Sequence, residues 1–145
     1  MYSVLVTDDE PTAVKHIESI IEKKCPDFYV AGRARNGKEA LEKTLDIHPD
    51  ILITDIRMPV MDGLEATRRI RTLGKADSRN VPVIAMTANA FDEDTRRSMD
   101  SGMDGHLSKP IEVSRLLEML GDCMLRRDQA AARGSHQNTE RELWK

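Results

Sequence analysis

"ILITDIRMPVMDG", Ile51 to Gly63, is an apolar run that ends in a single carboxylate, Asp55, before a basic residue, a Met-Pro step and an Asp-Gly turn. Ile51, Leu52 and Ile53 show no polar alternation, as expected of a strand covered on both faces. Strands of this kind belong to parallel sheets with a layer of helices on each side. The acid at the mouth of such a strand is the anomaly, since a carboxylate beside buried apolar residues needs a partner or a task.

The same pattern extends outward in both directions. Ser3 to Thr7, "SVLVT", is a short β-branched run ended by acids and reads as a first strand. Pro11 sits where a first helical turn tolerates it, and Val14, Ile17, Ile20 and Ile21 share one helical face up to the stop at Cys25-Pro26. "FYVAGRA", Phe28 to Ala34, reads as a second strand. A second helix follows over Asn36 to Pro49, with Ala40, Leu41, Thr44 and Leu45 facing in. After the third strand, Gly63 to Leu73 reads as a helix with Leu64, Thr67 and Ile70 inward, and "GKADSRN" as a polar loop. Val81 to Thr87 is a fourth strand, Asp92 to Gly102 a weakly apolar helix capped by glycine, and Gly105 to Lys109 a fifth strand. Glu112 to Leu125 completes the pattern, with Val113, Leu116, Leu117, Leu120 and Met124 on one stripe. Five strands alternating with five helices predict an α/β fold, (βα)5, with a doubly wound parallel sheet.

A length of 145 residues fits one domain, 1–125, followed by a polar stretch over 126–145 that reads as a helix extension or a disordered tail. The hydrophobic share of 39%, the charged share of 32% and a net charge of -3 describe a well-charged globular chain and argue against nucleic acid as a partner. No apolar run is long enough to predict a membrane span, and no signal peptide is legible, so the expected location is cytoplasmic. Cys25 and Cys123 form no CxxC and are expected to be reduced. Met1, directly before the first strand, suggests a chain that opens with this domain.

In open parallel sheets, ligands bind beyond the carboxyl ends of the strands. Strand one ends in Asp8, Asp9 and Glu10, strand three in Asp55, strand four in Thr87 and strand five in Lys109 followed by Pro110. Taken singly, each has a plain reading: an N-cap cluster, a turn former, a cap hydroxyl, a surface lysine. Placed together on one sheet edge, the acids repel one another unless a cation intervenes. Hard oxygen ligands without His or Cys suit Mg²⁺, with Mn²⁺ able to substitute, better than zinc. Mg²⁺, a hydroxyl and an ammonium are the parts needed to bind and transfer a phosphoryl group. Asp55 is the candidate nucleophile.

The motifs "VTDDE", "ITDIRMPVMDG", "IAMTANA" and "GHLSKP" occur in an order that resembles the receiver domain of bacterial two-component signalling, over Tyr2 to about Cys123. The resemblance implies a flavodoxin-like sheet of strand order 2-1-3-4-5. It implies Asp55 as phosphoacceptor, Asp9 and Asp55 as direct Mg²⁺ ligands with Asp8 acting through a water, and the backbone carbonyl of Arg57 as a further ligand. Lys109 would pair with the phosphoryl oxygen, and Thr87 and His106 would form the switch pair. The family most often has Tyr or Phe where His106 stands; His reads as a tolerated substitute in the same switch, with a pH-sensitive switch as the sharper alternative. Pro110 would follow a cis bond, Pro59 and Gly63 would shape the loop after strand three, and Arg57 and Asn89 would tune the phosphate lifetime. The implied partners are a histidine kinase or histidine phosphotransfer domain, and a homodimer through the face built from helix four, strand five and helix five. The chain is then a signalling domain rather than an enzyme, with only self-phosphorylation and autodephosphorylation chemistry.

The first half resembles receivers that precede DNA-binding regions, and the second half those attached to hybrid histidine kinases, so a receiver lobe of a hybrid kinase is an alternative. An aspartate-nucleophile phosphatase is a weaker one, because that class carries a second Asp two residues after the nucleophile, where this chain has Arg57. A pure interaction module would lack the acids or the lysine. No DNA-binding output element is legible after Leu125.

Overall fold

A computed structural model describes residues 1–73, 80–88 and 92–126. The polar loop over 74–79 and the tail from 127 onward lie outside the described residues. The elements alternate as expected: β1 (Tyr2–Thr7), α1 (Pro11–Lys24), β2 (Phe28–Ala34), α2 (Gly37–Ile47), β3 (Ile51–Asp55), α3 (Gly63–Leu73), β4 (Val83–Thr87), α4 (Asp92–Asp100) and β5 (Gly105–Ser108). A last helix, α5, covers 113–126 of the described residues. The strands form one parallel sheet in the order β2-β1-β3-β4-β5. Among the described residues no helix is long and apolar enough to cross a membrane.

Strand side chains alternate between two cores, which explains the unbroken apolar runs. Val4, Val6, Ile51, Ile53, Ile84 and Met86 pack with Val14, Ile17, Ile21, Leu116 and Leu120 from α1 and α5. Leu5, Leu52, Val83 and Ala85 point the other way, onto Ala40 and Leu41 of α2 and Leu64 and Ile70 of α3. β4 begins two residues later than the sequence suggests. Pro82 has no N–H for the ladder, although its carbonyl accepts from Leu52 N at 2.9 Å.

The helix ends carry readable stops. Asn36 caps α2 by accepting from Glu39 N at 2.9 Å. Gly102, at φ 98, closes α4, with Gly102 N donating to Met99 O and Met103 N to Ser98 O. That pair of bonds is a Schellman motif, which favours glycine because its backbone is left-handed. Three expected inward residues face out instead. Leu45 is 36% exposed, and Val113 and Leu117 are each 38% exposed. α5 buries the row Leu116, Leu120, Cys123 and Met124, which leaves the other two on its flank.

Away from the site, Arg71 ties three elements together. Its Nε and Nη2 donate to the Gly102 carbonyl at 3.1 and 2.8 Å, and its Nη1 donates to Val81 O at 2.7 Å. Nη2 also meets Asp104 at 2.9 Å, whose carboxylate accepts from Val83 N. The side chain is only 22% exposed, so truncation leaves two carbonyls and a carboxylate short of donors. Arg71→Ala is expected to cost about 2–4 kcal/mol, read as a lower urea midpoint at unchanged slope. Arg71→Lys should recover only part of it, since an ammonium lacks the planar fork that spans both carbonyls.

Candidate functional site

The register of the sheet decides what meets at its carboxyl edge. Thr7 pairs with Thr54, Asp55 with Met86 and Thr87 with Ser108. The residues at or just past these positions, Asp8, Asp55, Thr87 and Lys109, therefore share one edge. Carboxylate oxygens of Asp8, Asp9 and Asp55 lie within 4.8 Å of one another. Asp8 is 2% exposed and Asp55 is buried, while Asp9 is exposed and gives the cluster its opening to solvent.

Both oxygens of Asp8 are occupied. Oδ1 accepts from Glu10 N at 3.0 Å and Oδ2 from Lys109 Nζ at 2.8 Å. Asp55 is held unevenly. Its Oδ1 accepts from Ile56 N at 2.9 Å, and Ile56 N also reaches Met86 O at 3.2 Å. Its Oδ2 has the longer 3.4 Å contact to Lys109 Nζ. Burial, and then the charge of Asp8, push the Asp55 carboxyl above its ordinary value, with Lys109 opposing. Burial alone would depress Lys109, but its bond to Asp8 and the charges of both acids outweigh that and raise it. The lysine is thus an ammonium between two carboxylates.

A pocket of about 250 Å³ opens over these groups, lined among others by Asp9, Asp55, Arg57, Thr87 and Lys109. Thr87 is buried, and its carbonyl accepts from Lys109 N at 2.8 Å, which couples the ends of β4 and β5. An all-oxygen acidic set of this kind fits a hard divalent cation, with Asp9 its exposed member.

His106 lies outside this pocket. It shares a second cavity, about 370 Å³, with Ser108, Glu112 and Arg115 on the β5–α5 side. The Lys109–Pro110 peptide is cis, as expected. Asn89 lies outside the described residues. A third cleft, about 200 Å³, runs beside the site between α1 and the segment after β5. Thr12, Ala13, His16, Pro110 and Ile111 line it, and His16 Nε2 stands 3.4 Å from Ile111 O. Sequence reasoning did not single out Thr12, His16 or Ile111. Thr12 and His16 are one helical turn apart, a spacing that places them on one face, but nothing local says what faces them.

The loop after β3 is shaped by backbone. Met61 N donates to Pro59 O at 2.7 Å across Val60, whose φ is 68 and whose side chain is exposed. Gly63 N donates to Ile56 O at 2.8 Å. A Cβ on Gly63 would overlap the Asp55 carbonyl oxygen and stand 3.2 Å from Thr54 Oγ1. Gly63→Ala is expected to destabilise the fold by about 2–3 kcal/mol, seen as a lower melting temperature together with shifted Asp55 and Ile56 amide resonances.

The family model of the response regulator receiver domain matches residues 4–121. The polar-differentiation response regulator DivK of Brucella ovis is 35% identical over 118 residues, covering 81% of this chain and 92% of that protein. Hybrid signal transduction histidine kinase I of Dictyostelium discoideum is 34% identical over 122 residues, which is 81% of this chain but 7% of the kinase. The receiver domain of a sensor histidine kinase from Pseudomonas aeruginosa, solved with a magnesium ion coordinated in its active site cleft, is similar at TM-score 0.72 and 31% identity, covering 82% of this chain and 93% of that one. Sheet order, motif order and these likenesses converge, and the chain belongs to the response regulator receiver domain family of two-component signalling.

Proposed function

We propose that this chain is a phosphoryl-accepting switch that takes phosphate from a phosphohistidine donor onto Asp55. The observation that carries the reading is the asymmetry of Asp55. One oxygen is pinned by Ile56 N, and the other faces the pocket 3.4 Å from the Lys109 ammonium. Asp9, Asp55 and the Arg57 carbonyl would hold Mg²⁺, with Asp8 acting through a water, and the ion would supply charge neutralisation there. The closer contact of Asp8 Oδ2 with Lys109 Nζ, 2.8 Å, supports its indirect role.

The Asp55 Oδ2 lone pair forms the new P–O bond in line with the breaking P–N bond, whose electrons stay with the donor imidazole. Lys109 offsets the charge on the equatorial oxygens, and Thr87 offers a hydroxyl to the product acyl phosphate. The donor domain docks along the cleft lined by Thr12, His16 and Ile111, which adjoins Lys109. His106 sits beside Arg115 in the neighbouring cavity and reads out the movement of Thr87. The face carrying Met99, Val113 and Leu117, all exposed, then meets an output partner or a second copy. Arg57, exposed at the pocket rim, and Asn89 set the lifetime of the phosphate. The receiver spans 1–125 with a polar tail over 126–145, works in the cytoplasm and contacts neither nucleic acid nor membrane.

The partial match to a hybrid histidine kinase favours one second reading, a receiver lobe acting within such a kinase. Incubation with Mg²⁺ and a small acyl phosphate, followed by intact-mass measurement, tests the main reading. One added phosphoryl group per chain is expected, or a beryllofluoride adduct by NMR. Absence of both would overturn it.

A further inference from the structure

We propose that the N-terminal turn of α2, through Gly37, is a positioning element for the loop 57–62 that carries the Arg57 carbonyl. The inference rests on the metal reading above. Gly37 is buried, and its N–H donates to Met61 O at 2.7 Å. The first N–H groups of a helix have no partner within the helix, and this one is spent on holding the loop. A Cβ on Gly37 would overlap the Met61 carbonyl oxygen and stand 2.7 Å from Asp62 O. The two backbones therefore approach as closely as only glycine permits.

Which side yields to an added methyl decides the function. α2 is stiff. Asn36 caps Glu39 N, Glu39 reaches back to Arg35 N at 2.9 Å, and Ala40, Leu41 and Thr44 are buried. The loop is soft. Arg57, Pro59, Val60 and Asp62 are exposed, and Val60 is a β-branched residue at positive φ. At its far end the loop is pinned by Gly63 N to Ile56 O. Pressure from position 37 is thus taken up by 57–62, and the Arg57 carbonyl moves with it. Gly37 touches no reacting atom; it acts through the loop, as outer groups do around a metal.

The test is Mg²⁺ affinity by isothermal titration calorimetry on the full chain. Gly37→Ala should weaken binding at least about tenfold. Ile51→Val, a buried core change at the other end of β3, should lower the melting temperature without weakening binding. A second measurement needs no variant. Coupling is reciprocal, so saturating Mg²⁺ should slow hydrogen exchange at the Gly37 amide more than at the Asp50 amide, which donates to Ser3 O at the opposite sheet edge. Unchanged affinity in Gly37→Ala, equal weakening in Ile51→Val, or equal slowing at both amides would overturn the positioning role while leaving the metal reading intact. A wild-type chain that bound no Mg²⁺ would overturn both.

Discussion

Asp55→Asn is expected to take up no phosphoryl group from an acyl phosphate, because an amide oxygen is no nucleophile at phosphorus. The same variant should melt higher than the wild type in the absence of metal at neutral pH. The Asp55 carboxyl is raised by burial first and by Asp8 second, against the opposing pull of Lys109. A raised carboxyl pKa means the folded chain prefers the protonated form. The ionised group therefore costs stability above the unfolded value, and the cost vanishes as pH falls below it. The gap between variant and wild type is widest at neutral pH and closes below the ordinary carboxyl value of 3.8. Calorimetric melts from acid to neutral pH, run beside intact-mass labelling, check both halves. Persistent labelling of Asp55→Asn would move the acceptor elsewhere, and a lower neutral-pH melt would contradict the desolvated carboxylate.

Lys109→Ala is expected to slow phosphoryl uptake by about 100- to 1000-fold, the usual scale for removing one charge-stabilising group aimed at a transition state. Its effect on the metal has the opposite sign. Nζ lies 2.8 Å from Asp8 Oδ2 and 3.4 Å from Asp55 Oδ2, so it competes for the oxygens a divalent ion needs. Without it, Mg²⁺ is expected to bind more tightly. The metal-free fold weakens, because Asp8 and Asp55 then face each other without a cation. The lysine's own contribution is present at neutral pH. Its raised pKa keeps it charged until pH passes above the ordinary lysine value of 10.5. Titration calorimetry and rapid-mixing uptake kinetics on one preparation separate the two effects. Equal uptake rates would remove Lys109 from the chemistry, and weaker Mg²⁺ binding would contradict the competition.

The site reads well from sequence for a topological reason. In a parallel sheet every strand delivers its last residue to the same edge, so strand ends can be listed without knowing any side-chain geometry. Asp8, Asp55, Thr87 and Lys109 were reachable in this way. The sequence does not say which cavity His106 lines: it shares the one on the β5–α5 side with Lys109, which also lines the pocket over Asp55. Glu18 shows the same limit. It is buried in α1 on the same face as Val14 and Ile21, and Arg33 of β2 supplies its bidentate partner fifteen residues away. Leu45, Val113 and Leu117 fit an apolar period, yet period reports which residues share a face and not how wide the covering neighbour is.

By itself the sequence determined the order of strands and helices, the burial of the third strand on both faces and the acids, hydroxyl and lysine at one edge. These follow from local periodicity, capping residues and the direction of a parallel strand. Only the tertiary structure decided that Lys109 stands closer to Asp8 than to Asp55, that Arg71 reaches Gly102, and that Gly37 grips Met61. Those contacts join backbone groups far apart in the chain, and a carbonyl's partner across a fold is set by the path of the packed chain rather than by the residue that carries it.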